Sequence, residues 1–119
     1  MAAPNIVNVT TITGKTAVAN VATTATTLLT NSAASGTVVK VNSLVVSNID
    51  GVNSADVTVR FVRSSLNYHL ASTIAVPADA SLVVISKDTS LYLEEGDSLT
   101  ALASAAGDLQ TVTSYEIIS

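Results

Sequence analysis

The sequence predicts an all-β fold, a single β-sandwich of antiparallel strands, jelly-roll-like or immunoglobulin-like. Three observations carry that expectation. Apolar residues recur with period two in several segments, the spacing of a half-buried strand. Val, Ile and Thr dominate those segments, and their branched side chains suit a pleated surface better than a helix. Of Gly14, Gly36, Gly51, Gly96, Gly107, Pro4 and Pro77, nearly all fall between the runs, where turns need them. Many short strands spaced by turn residues indicate a sandwich or barrel and not a parallel α/β sheet.

The elements follow in order. Residues 1–14 read as a first strand or an arm reaching a neighbour. The stretch 16–35 is double-edged: Val18, Val21, Ala25, Leu28 and Leu29 fit a helical stripe, but Thr23, Thr24, Thr26 and Thr27 restrict χ1 and disfavour helix. Strands with a loop at 31–36 are therefore expected. A strand at 38–47 is read as joined to one at 57–62 in a long hairpin, through a loop carrying Asn48, Asp50, Gly51, Asn53 and Ser54. In the second of these, Val57, Val59 and Phe61 share one face, and Asp56, Thr58 and Arg60 the other.

After a break at Asn67, the residues Tyr68, Leu70, Ser72, Ile74 and Val76 alternate against His69, Ala71, Thr73 and Ala75. Pro77 and Asp79 then turn the chain into a strand at 82–85. Leu91 and Leu93 precede a tight turn at Glu95, Gly96 and Asp97, in which Gly supplies positive φ and Asp can bond nearby amides. Leu99, Ala101 and Ala103 follow it. Ala106, Gly107 and Asp108 repeat the device before a last strand with Leu109, Thr111, Thr113, Tyr115 and Ile117 on one face. No linker or internal repeat divides the chain, so residues 1–119 are expected to form one domain, near the commonest domain size.

Composition narrows the function. Charged residues make up 12% and the net charge is −4, with Lys15, Lys40, Arg60, Arg63 and Lys87 the five basic residues. Nucleic-acid binding needs clustered Lys or Arg to replace phosphate counterions. No such cluster exists, and no nucleic-acid partner is expected. Mean hydropathy is positive, yet no apolar run approaches the ~18 residues that cross a bilayer. The opening residues lack the basic and apolar regions of a signal peptide. No membrane partner is expected, and the protein reads as soluble and made in a cytoplasm. There are no cysteines, which excludes disulfides and thiolate metal sites. Only Phe61, Tyr68, Tyr92 and Tyr115 are aromatic. A core so thin in large side chains points to added stabilisation from self-association.

Catalytic chemistry has little to stand on. His69 is the one histidine, and no Gly-x-Ser-x-Gly pattern supplies a nucleophile with its base and orienting group. Glu94, Glu95 and Asp97 could offer oxygen ligands to a hard cation, but a solvated turn is the expected role. The loop with Asn48, Asp50, Gly51, Asn53 and Asp56 lacks the ordered spacing and distal Glu of a calcium loop. No catalytic, cofactor-binding or metal-ligating residue is assigned, no cofactor is expected, and an enzyme is the weakest class.

Four segments carry a resemblance: VVKVNSLVVSN at 38–48, VPADASL at 76–82, LYLEEGDSL at 91–99 and SYEI at 114–117, with APNIVN at 3–8 fitting the same pattern. In that order they resemble small virion structural proteins of tailed bacteriophages, most closely those of cyanophages. The resemblance implies a β-sandwich that assembles on the particle in the host cytoplasm. The leading expectation is a capsid decoration (cement) protein bracing repeated capsid contacts. Its partners would be copies of itself, a trimer by analogy with other jelly-roll virion proteins, and the major capsid protein or another virion protein. A neck, tail or baseplate component is the alternative, followed by a host-surface or carbohydrate-binding module.

Overall fold

The computed structural model describes residues 10–119. Nine strands follow one another there: β1 (Ile12–Asn20), β2 (Thr26–Thr30), β3 (Val38–Asn48), β4 (Ala55–Arg63), β5 (Leu66–Val76), β6 (Ser81–Ile85), β7 (Leu91–Leu93), β8 (Ser98–Ala103) and β9 (Leu109–Ile118). A 3-10 turn at Lys87–Thr89 separates β6 from β7. The strands build two antiparallel sheets. One runs β1-β9-β3-β6, with β7 also paired to β3, and the other runs β2-β8-β4-β5. Every connection crosses between the sheets except β4–β5 and β6–β7. The all-β sandwich expected from the sequence is the fold.

The core lies between the sheets. Val41, Leu44 and Val46 of β3 meet Val57 and Val59 of β4, Leu99 and Ala101 of β8, and Ile85 and Leu93, all fully buried. Two irregularities let the sequence fill this space. Val41 and Leu44 both point inward although three residues apart, because a bulge lies between Val41 and Ser43. Leu28 and Leu29 are both buried because β2 slips register between Thr27 and Leu29. A bulge adds one residue on one strand and so resets which face the next side chain takes.

Several boundaries differ from the sequence reading. The segments 38–47 and 57–62 are not a hairpin: β3 and β4 belong to opposite sheets, and the loop between them is an arch over the core. Alternation tells which side chains face inward but not whether the next strand lies beside or across, and Val57 faces the core from the far side. The break placed at Asn67 lies earlier. Ser64 and Ser65, with φ of 54° and 62°, make the two-residue turn of the β4–β5 hairpin, and two successive positive φ values match the twist of flanking strands. Gly14 sits inside β1, and not at a boundary. Of the segment 1–14 read as a strand or arm, residues 1–9 lie outside the described residues.

The alternation at 68–76 also gives way. Val57 pairs with Ile74, Val59 with Ala71 and Arg60 with His69, so β5 carries an extra residue twice. Thr73, at φ 51°, sits at one of these bulges and donates its N–H to Thr58 Oγ1 (3.0 Å). As a result Ala71 and Val76 face the core while Tyr68, Leu70 and Ile74 are exposed. β5 is a sheet edge, and bulging an edge blunts its capacity to pair with foreign strands.

Candidate functional site

The residues named from the sequence fall in three places. His69 is exposed on the outer face of the β2-β8-β4-β5 sheet, directly cross-strand from Arg60. That position gives it a cationic neighbour, not the carboxylate and nucleophile of a catalytic triad. Asp56 and Thr58 share this face, so it carries both signs of charge.

The acidic turn is not the solvated turn the sequence suggested. Asp97 is 2% exposed. Its Oδ1 accepts from Arg63 Nε (2.9 Å), and its Oδ2 accepts from Arg63 Nη2 (2.6 Å) and the Glu94 N–H (2.8 Å). The bidentate guanidinium holds the Asp97 carboxyl below its ordinary value against the opposing effect of burial. Glu94 Oε2 reaches the same Arg63 Nη2 at 2.6 Å from solvent, and the Arg63 guanidinium lies 5.1 Å above the Phe61 ring. Glu95 Oε2 accepts from the Gly36 N–H (3.0 Å). These carboxylates are committed to a guanidinium and to backbone amides. They brace the turn, and among the described residues no group of three His, Asp or Glu is placed to hold a metal ion.

Two buried asparagines close the ends of the sandwich. At one end, Asn31 Nδ2 donates to the Thr37 and Leu93 carbonyls (both 3.0 Å), and its Oδ1 accepts from Ser35 Oγ (2.6 Å) and Thr37 Oγ1 (3.2 Å). At the other, Asn48 Nδ2 donates to the Asn53 and Val76 carbonyls (3.0 and 2.9 Å), and its Oδ1 accepts from the Asp50 N–H (2.9 Å). Each side chain ties one sheet to the other. The Asn48 loop named from the sequence is thus a structural arch, with Asp50 Oδ1 accepting from the Val52 and Asn53 N–H groups (2.8 and 3.1 Å).

The feature sequence reasoning missed lies on the outer face of the β1-β9-β3-β6 sheet. Val18 pairs with Val112, Val112 with Val45, and Val45 with Val83. Four valines therefore form a straight row across four strands, with Val18, Val83 and Val112 exposed by 75%, 59% and 46%. On one side the neighbouring row is Asn20, Gln110, Ser47 and Ser81, and on the other Thr16, Ser114 and Ser43. Charge enters only one row further, with Glu116 opposite Lys40. The signal was present in the sequence as valine at positions of polar parity, but aligning the four requires the register.

Surface hollows are open and shallow in character. One of about 330 Å³ is lined by Val18, Asn20, Gln110 and Val112. Another of about 370 Å³ lies beside Arg63 and the acidic turn, and a third of about 390 Å³ runs between Leu70, Ile74 and Val83. No helix among the described residues is long and apolar enough to cross a membrane.

No protein-family model matches the chain, and no curated protein matches it. Among solved structures, a chain from the disulfide-linked pili of Bacillus endospore appendages superposes with a TM-score of 0.53 at 17% identity, over 92% of this chain and 88% of that one. A chain from the acidic stable capsid of Helicobacter pylori bacteriophage KHP30 gives a TM-score of 0.53 at 10% identity, over 94% and 90%. A pentameric capsid protein isolated from metagenomic phage sequences gives 0.42 at 19% identity, over 85% and 59%, which is too distant to carry an argument. At these identities the likeness is one of fold.

Proposed function

We propose that the protein is a structural subunit of a tailed-phage virion, acting as a decoration protein that braces repeated contacts on the capsid surface and performing no catalysis. The observation that carries this reading is the strand order. Two sheets ordered β1-β9-β3-β6 and β2-β8-β4-β5, exchanging strands at almost every connection, support a jelly-roll reading of the sandwich, an architecture common in viral capsid domains. The capsid chain from bacteriophage KHP30 shares the sandwich over most of both chains. The ordered motifs at 38–48, 76–82, 91–99 and 114–117 point the same way. The bracing of both ends by buried polar groups supplies the rigidity that a shell component needs. Residues 1–119 are read as one domain, and its partners as copies of itself and the major capsid protein.

A second reading is favoured by the equal TM-score to the pilus chain: a subunit of a filamentous part of the particle, such as tail or neck. Any such assembly would form without disulfides, because the chain has no cysteine. Quantitative mass spectrometry of purified virions separates the two. A copy number of the order of the major capsid protein supports the decoration role, a copy number of a single ring or tube supports the second reading, and absence from the particle sinks both.

A further inference from the structure

The valine row has the composition of a contact surface, and its setting says what would cover it. Its side chains are short and branched, so ordering them costs little rotamer entropy. Across its three central rows the face carries Val18, Val45, Val83 and Val112 flanked by Ser, Thr, Asn and Gln, with no charged side chain. The chain carries a net charge of −4, so the approach of two copies is opposed on average by like charge, and least so at a face without charged side chains. This face is where two copies can approach without opposing charges. The opposite face, with Asp56, Arg60 and His69, lacks that property.

The row is also self-complementary. A two-fold axis lying in the contact plane, along the row or across it, maps the four valines onto four valines. The amide and hydroxyl rows then meet their own counterparts or each other, and both contain donors and acceptors. Three rows about 6.8 Å apart, across four strands spaced about 4.8 Å, present about 400 Å² per copy, or about 800 Å² per pair. That area is the size of a weak contact, below the about 1,000 Å² of a stable one, and calls for association at high concentration.

We propose that the outer face of the β1-β9-β3-β6 sheet is a self-association surface, on which a second copy of this chain packs face to face with the two valine rows in register. Such a pairing is sheet-on-sheet packing of the kind that builds a sandwich core, with the two sheets about 10 Å apart. The inference draws on the structural-subunit reading only in supposing that copies meet. It is tested on purified protein without particles, so either can fail alone.

The test is the solution mass of the full chain, by light scattering and sedimentation over a range of concentrations up to about 1 mM, well above the dissociation constants of specific non-obligate interfaces. The wild type is expected to reach twice its 12.1 kDa. Val112→Asp and, separately, Val18→Asp should weaken that association at least about tenfold, with far-UV circular dichroism unchanged and melting temperature close to wild type at dilutions where both are monomeric, because both side chains point outward. Val18, at 75% exposure, guards against a folding defect at Val112. Val52→Asp, on the β3–β4 arch, should leave the mass unaltered. A monomer at every concentration overturns the proposal, as does any oligomer, a trimer included, that both row substitutions leave intact.

Discussion

Each end of the sandwich is closed by one buried asparagine that ties the sheets together, but the two closures differ in what surrounds that residue. Around Asn31 the supporting cast is ionic: the Asn31 N–H donates to the Asp97 carbonyl, the Asn31 carbonyl accepts from the Gly96 N–H, and Arg63 anchors Asp97. Around Asn48 it is built from backbone: the Asn48 N–H donates to the Ala80 carbonyl, the Asp50 carboxylate caps two amides of its own loop, and the Ile49 N–H reaches the Asp108 carbonyl. The same task, satisfying buried polar groups where strands stop, is solved once with a charge pair and once without. Both ends should therefore respond to pH, the one through Arg63 and the other through its own loop amides, and only the ionic end holds an exposed, salt-screened pair, Arg63 with Glu94.

The largest expected effects test what the ends share. Asn31→Ala removes four side-chain hydrogen bonds and leaves the Leu93 carbonyl without its partner in a buried site. A loss of about 3 kcal/mol is expected, since an unsatisfied buried group costs more than the net worth of its bond. Asn48→Ala removes three and should cost about 2–3 kcal/mol. Urea unfolding checks both. Equal, small losses below 1 kcal/mol would mean that the ends close by loop packing, and that the comparison concerns decoration and not closure.

How much of this was legible beforehand differs between the two ends. The Gly96 and Gly107 turns, the inward faces of β4, β8 and β9, and the sandwich itself follow from alternation and turn residues. The arch over Asn48 was misread as a hairpin because composition does not say whether the next strand lies beside or across. The partnership of Arg63 with Asp97 was hidden because it joins the end of β4 to the β7–β8 turn, 34 residues away, and an acidic triplet at a turn has the same letters whether solvated or clamped. The bulges in β2, β3 and β5 were equally invisible: they appear in sequence only as broken alternation, which a strand end also produces. The valine row needed three registers at once.

The pH response sharpens the contrast. Asp97 has its pKa lowered first by Arg63, and Asp50 first by the Val52 amide. For both the sign is the same. A folded pKa below the unfolded value of 3.8 stabilises the fold fully above that value and loses its contribution as pH falls through the lower folded one. The causes, however, separate. Arg63→Gln should bring the Asp97 pKa back up while leaving that of Asp50 in place, read by carboxyl NMR titration. Asp97→Asn should flatten the dependence of the melting temperature on pH below about 4, relative to wild type. If Arg63→Gln moved both carboxyls, the ends would be coupled through the sheets and the comparison would fail.

The smallest expected effect isolates burial as the deciding variable at the ionic end. Glu94 and Asp97 each place a carboxylate oxygen 2.6 Å from the same Arg63 nitrogen, but their side chains are 65% and 3% exposed. Coulomb attraction at a fixed distance scales inversely with local dielectric, and water around Glu94 both screens the pair and offers its carboxylate equivalent partners. Asp97 has no such alternative, and its Oδ2 also caps the Glu94 N–H. Glu94→Gln should thus change stability by no more than about 0.5 kcal/mol, with that small change vanishing in high salt. Asp97→Ala, which strips the Arg63 and Glu94 hydrogen bonds from a buried site, should cost about 2–3 kcal/mol at any ionic strength. Comparable losses from the two would show that proximity to Arg63, and not burial, sets the strength of this end.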